Sequence, residues 1–207
     1  MTLPDPDDGS GQPEDGPSRR TVAYPGGLTA HYRWVGSGGR ATLDALDGRE
    51  AAARGAEPAT DLATLVAEGG ERMCAAELRL EGPNGAWTVR LASSIHDDPQ
   101  GVFWDTARLL LVKYGFAIYA LVARTGELLW HHTTRTPMLT LLGSTRLPHV
   151  IAQSELETFA LGQDGEVAWR IAHSDVVIDA RLVGGRLILA LYGGSVLGLD
   201  PRTGSLL

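Results

Sequence analysis

The stretch Ala120-Leu121-Val122-Ala123-Arg124-Thr125-Gly126-Glu127-Leu128-Leu129-Trp130 decides the fold. An apolar strand runs into a tight turn at Gly126, and a second strand leaves that turn carrying a tryptophan. The same order returns as Ala160-Leu161-Gly162-Gln163-Asp164-Gly165-Glu166-Val167-Ala168-Trp169, one residue shorter before its glycine, and a third copy begins at Gly198-Leu199-Asp200-Pro201-Arg202-Thr203-Gly204. The strands ahead of these turns, Arg108 to Val112, Leu147 to Ile151 and Arg186 to Ala190, each open 39 positions after the last. Gly126, Gly165 and Gly204 keep the same spacing of 39, as do Trp130 and Trp169. A fixed period of this size marks a repeat architecture whose units bury their apolar faces against one another. Glycine permits the positive φ of a tight hairpin and tryptophan supplies a broad flat surface between neighbouring sheets, so these five residues read as structural.

The units resemble the PQQ-like propeller repeat, with its Ala-x-Asp-x-x-Thr-Gly-x-x-x-Trp signature. The first copy has Ala120, Thr125, Gly126 and Trp130 in place but Val122 where the family has Asp; the third copy keeps that acid as Asp200. The resemblance covers about the last hundred residues. It implies an all-β fold: a small or incomplete β-propeller of four-stranded, WD40-like blades over residues 101–207, preceded by a divergent N-terminal β segment. A propeller ring needs about four blades or more, and the repeats supply two nearly complete units and part of a third. The strand Leu28 to Val35, with Trp34, is expected to complete the last blade. An open stack, or two chains forming one ring as a homodimer, are the alternatives.

Residues 1–20 hold Pro4, Pro6, Pro13 and Pro17 with Met1 and Leu3 as their only sizeable apolar groups, and are expected to be a disordered acidic leader. Over residues 21–100, Leu28, Ala30, Tyr32 and Trp34 alternate with polar neighbours as in a half-buried strand, and Ala41 to Leu46 suggests another. One short helix is expected over 58–68, started by Pro58 and stopped by Gly69-Gly70. Glu77 to Leu80 and Trp87 to Leu91 form a hairpin across Gly82-Pro83-Asn84-Gly85. His96-Asp97-Asp98 reads as a solvated link.

The net charge of −7 argues against a nucleic-acid partner, which would call for a basic stripe. No apolar run is long enough for a membrane-spanning helix, and the start lacks the pattern of a signal peptide, so the expected location is the cytoplasm. The single cysteine, Cys74, can make no internal disulfide and reads as an inert, partly buried thiol.

No catalytic motif emerges, and no cofactor or metal is expected; a bound quinone would require more blades and more convergent carboxylates than the chain offers. The densest polar cluster is His173-Ser174-Asp175 with Asp179 and Arg181 on an innermost strand, where strict alternation would put Asp175, Val177, Asp179 and Arg181 on one channel-facing side. Those residues and Lys113 are the candidate ligand contacts. The structural reading pairs Asp179 with Arg181 and lets Lys113 reach solvent from a strand end. His131-His132 would point to opposite faces of a strand and so serve one metal ion badly. The function expected is a non-catalytic scaffold for a protein partner; the rival is a small-ligand or metal-binding protein, or an enzyme, using the polar cluster.

Overall fold

The computed structural model describes residues 17–36, 43, 59–62 and 74–207. Among the described residues, sixteen strands form four sheets. The first contains β1 (Ser18–Tyr24), β2 (Leu28–Val35), β3 (Thr60–Asp61), β4 (Cys74–Gly82) and β5 (Gly85–Ser93), in the order β1-β2-β4-β5-β3. The second is β6 (Gln100–Trp104), β7 (Leu109–Tyr114), β8 (Ala117–Val122) and β9 (Leu128–Thr133), each beside the next. The third repeats this with β10 (Met138–Leu142), β11 (Val150–Ser154), β12 (Glu157–Leu161) and β13 (Val167–Ala172). The fourth holds β14 (Val177–Val183), β15 (Arg186–Leu191) and β16 (Val196–Leu199). All pairings are antiparallel except that of β3 with β5.

The sheets pack in chain order, with an apolar layer between each pair. Tyr32, Leu78 and Leu91 of the first sheet meet Leu110, Tyr114 and Tyr119 of the second. Leu109, Leu111 and Ile118 then meet Val150, Phe159 and Leu161 of the third. Ile151 and Trp169 meet Val177, Leu187 and Leu189 of the fourth. Sheets covered on both faces explain why β7 and β8 read as unbroken apolar runs, whereas the outer strands β9 and β13 alternate between half-buried and exposed positions. The first strands converge, because β10 touches both β6 and β14.

Several expectations need correction. β1 starts at Ser18, inside the segment expected to be a disordered leader. Thr60–Asp61 is a strand within the span expected to be helical, because its backbone pairs with Val89 and Arg90. Leu43 is helical where a strand was expected, and it packs on Val35 and Ala75. The remaining residues of the 1–20, 41–46 and 58–68 readings lie outside the described ones, apart from Pro17 and residues 59 and 62. β2 does not complete the last blade: it pairs on one side with β1 and on the other with β4, so its apolar face belongs to the first sheet. The step of 39 also slips in one place. Leu110 and Val150, 40 apart, both face the preceding sheet, and Leu111 and Ile151 both face the following one. The one-residue shortening before Gly165 restores the step at the turn.

Candidate functional site

The repeat glycines and tryptophans form one device used three times. A side chain built on Gly126 would strike the indole of Trp87, one on Gly165 that of Trp130, and one on Gly204 that of Trp169, with approaches of 2.6, 2.8 and 2.7 Å. Each glycine has positive φ. Each indole therefore crosses from its own sheet onto the turn of the next. Trp87 Nε1 donates to the Ala123 carbonyl at 2.9 Å and Trp130 Nε1 to the Gln163 carbonyl at 2.8 Å. The indole N–H of Trp169 is buried without a partner.

Lys113 is 5% exposed and does not reach solvent as expected. Its Nζ donates to Asp97 Oδ1 at 2.7 Å, Asp97 Oδ2 at 3.0 Å and the Met138 carbonyl at 3.3 Å, so all three protons are committed. Asp97, expected in a solvated link, instead ties the second sheet together: its Oδ2 also accepts from the Gly115 N–H at 2.7 Å. Asp175 does the corresponding work in the fourth sheet, with Oδ1 taking the Val176 N–H at 2.7 Å and Oδ2 the Gly193 N–H at 2.8 Å. Between them, Thr136 Oγ1 donates to Ser154 Oγ at 3.1 Å. Each tie spans 18 residues, and its members at 97, 136 and 175 stand 39 apart. That spacing was the sequence signal for Asp97, which composition alone hides.

His173 ends a buried polar chain. Gln153 Nε2 donates to the carbonyls of Ser154 at 2.6 Å and Glu157 at 3.1 Å, which fixes its Oε1 as the acceptor for the Thr158 hydroxyl at 2.6 Å. With that hydroxyl proton used, His173 Nε2, 2.6 Å from Thr158 Oγ1, must be the donor. Burial pushes the His173 pKa down. His132 likewise falls, through burial and then the neighbouring Arg170, whose Nη2 donates to His132 Nε2 at 3.2 Å. Burial raises the pKa of the Cys74 thiol, which is 3% exposed.

The expected single polar face on β14 does not form. A bulge between Val177 and Asp179 breaks the alternation, and Val177 and Ala180 enter the core instead. The same irregularity separates Met138 from Thr140, one period earlier. Asp179 Oδ2 accepts from Arg181 Nε at 2.8 Å on the exposed surface. The five candidate residues therefore do not converge: Lys113, His173 and Asp175 are committed to separate structural bonds, and Asp179 with Arg181 lies apart from them. Among the described residues, no group of three or more His, Cys, Asp and Glu side chains could hold a metal ion.

Asp179 and Arg181 border a different feature. Ile178, Val183, Tyr192, Val196, Leu206 and Leu207 are 57, 58, 79, 66, 72 and 67% exposed, and all belong to the fourth sheet or the turns and bridge attached to it. Leu206 pairs with the core residue Leu199 and so stands on the inner side of the sheet, whereas Ile178, Tyr192 and Val196, with the Asp179–Arg181 ion pair, lie toward its outer side and are the candidate site. Its polar groups are the Asp179–Arg181 pair and the Tyr192 hydroxyl.

Successive antiparallel sheets with converging first strands define the chain as a stack of β-propeller blades of the PQQ-like repeat class. The sequence model of the family described as outer membrane protein assembly factor BamB matches residues 37–171, and the chain belongs to that family. No curated protein is significantly similar in sequence. Among solved structures, BamB from Moraxella catarrhalis is similar at 20% identity and a TM-score of 0.48, with 65% of this chain covering 44% of that one. HIRA(644-1017) is similar at 11% identity and TM-score 0.50 over 95% of this chain and 53% of that one. The computationally designed Ika8 protein gives 10%, 0.51, 90% and 59% for the same quantities. The chain thus spans about half the length of these structures, and the likeness is one of fold. No helix among the described residues is long and apolar enough to cross a membrane.

Proposed function

We propose that the protein is a non-catalytic scaffold that docks a protein partner on the exposed face of its fourth sheet. The observation that carries this reading is the exposure of Ile178 and Val196 of the fourth sheet and of Tyr192 in the turn between β15 and β16, because exposed apolar groups gathered at one place mark association sites. Membership of a family described by an assembly role supports a partner that is itself a protein. Of the residues offered for the ligand-binding or enzymatic alternative, Lys113, His173 and Asp175 are bonded to Asp97, Thr158 and backbone N–H groups within the fold, and Asp179 pairs with Arg181.

A photo-crosslinking side chain introduced at Val196, and separately at Arg79 on the first sheet, tests the proposal in cells. A discrete protein adduct from Val196 and none from Arg79 is expected. Adducts from neither position, or from Arg79 alone, would remove the reading.

A further inference from the structure

We infer that the first sheet carries an oxyanion-binding site on β1 and β2, where Arg20 and Trp34 hold neighbouring N–H groups without acceptors. The inference is independent of the docking role proposed for the fourth sheet. Arg20 lies opposite Tyr32, and Ser18 lies opposite Trp34 two residues along. Alternation puts all four side chains on the same face of the sheet, the one that carries the buried Tyr32. The guanidinium carbon of Arg20 is 5.5 Å from the centre of the Tyr32 ring and 5.8 Å from that of Trp34. Contact of this kind offsets the charge through the ring faces. It leaves the N–H groups, which lie in the guanidinium and indole planes, to find acceptors of their own. Arg20 Nε and Trp34 Nε1 are buried and have none.

The groups around them add donors and no counter-charge. The hydroxyls of Tyr24 and Tyr32 are 3.1 Å apart, so one donates to the other and a single O–H is left over. Gly101 of the second sheet makes room for both hydroxyls, since a β-carbon there would collide with each. Phe103 beside Tyr24 is apolar. Burial raises the Tyr24 pKa, and the Tyr32 hydrogen bond and then the Arg20 charge pull against that rise, which sets the guanidinium near the phenols. The chain has 25 acidic residues against 18 basic ones, yet among the described residues no carboxylate pairs with Arg20. A cation, a buried indole N–H and a spare phenol O–H thus lie together on one face. A ligand with negative charge and two or more acceptor oxygens, a carboxylate or a phosphate, answers all of them. A cationic or purely apolar ligand would leave the donors unpaired.

Nuclear magnetic resonance on the isotope-labelled full chain tests this by following the Trp34 Nε1–H and Arg20 Nε–H signals. Sodium phosphate, sodium acetate and a short end-capped peptide with one internal glutamate are added separately, with sodium chloride at matched ionic strength as the control. Both signals should shift saturably beyond the effect of chloride. The Trp169 Nε1–H, equally buried and unpartnered but edge-on to His149 instead of covered by a guanidinium, should stay in place. A response to phosphate or acetate identifies a free small oxyanion as the ligand class, and a response to the peptide alone identifies an acidic side chain of a protein partner. Arg20→Gln should weaken the apparent affinity by about tenfold or more, the usual worth of a hydrogen bond to a charged group. Trp34→Phe, which keeps a ring beneath Arg20, serves as the second variant should Arg20→Gln perturb folding; the Arg20 signal then reports a weakened affinity. No saturable shift with any probe, a shift shared by Trp169, or an affinity unchanged in the variants would overturn the inference and leave the fourth sheet's proposed role standing.

Discussion

Trp130 lies across Gly165, joining the second sheet to the turn of the third, and its indole N–H donates to the Gln163 carbonyl two residues before that glycine. Gly165 has φ +83°, and a methyl group there would sit 2.8 Å from the ring. Gly165→Ala therefore combines a strained backbone with a clash. The expected loss is about 2 to 4 kcal/mol, read from denaturant unfolding, since strain and overpacking each contribute on the order of 1–3 kcal/mol.

Trp130 and Trp169 occupy equivalent places but differ in their hydrogen bonding, and this difference predicts unequal responses to one substitution. Trp130→Phe removes a bond, whereas Trp169→Phe removes a buried N–H that has no partner. Trp130→Phe should be the more destabilising by about 2 kcal/mol, roughly 1 kcal/mol for the lost bond and roughly 1 kcal/mol for the relief of an unpaired donor at Trp169. Equal losses in the two unfolding curves would contradict the assignment.

Lys113 and Asp97 form a buried pair, so removing one partner leaves the other without its counter-charge. Lys113→Met alone should cost about 3–5 kcal/mol, while Lys113→Met with Asp97→Asn should cost less than the single change. A double-mutant cycle on urea unfolding gives the coupling directly.

Tyr114 and Tyr119 bury hydroxyls that bond to nothing, and burial pushes the Tyr119 pKa up to about 12 and raises that of Tyr114 as well. Tyr119→Phe should raise stability by about 1 kcal/mol, because it removes an unsatisfied polar group with almost no change of shape. The sign with pH follows. Above the ordinary value of 10.0 the unfolded chain loses the Tyr119 proton and the folded one retains it, so stability should fall as pH rises from about 10 toward 12. Tyr119→Phe should flatten that fall.

His132 and His173 act at the other end of the scale. Both have pKa values below the ordinary 6.5, so as pH drops through that value the unfolded chain takes up protons that the folded one refuses. Melting temperature should fall on acidification from 6.5 downward. His173→Gln, which keeps a donor for Thr158, should weaken the dependence, and an unchanged slope would show that His173 plays no part in it.

The repeat was legible because its markers sit in turns and outer strands, where glycine and tryptophan have few substitutes. The first sheet was legible only as separate strands. Trp87 does in it what Trp130 does in the second, yet the two are 43 apart, so the period misses it, and β2 pairs with β4 across an intervening segment that holds β3. Asp175 and Lys113 drew notice because they are charged residues in a β-rich region. Their partners, a backbone N–H in one case and Asp97 in the other, come from the pairing of strands 16 to 18 residues apart, which no local pattern displays. The bulge after Val177 was equally hidden: a run of alternating residues carries no mark of the one position where a strand steps out of register.

The Trp–Gly contacts make the molecule a one-dimensional array in which each sheet is coupled only to its immediate neighbours. Disorder introduced at one end must unzip the stack layer by layer, since no contact links the first sheet to the fourth among the described cores. The second and third sheets, held from both sides, should exchange their amide protons slowest, and the fourth should open first unless another surface closes over it.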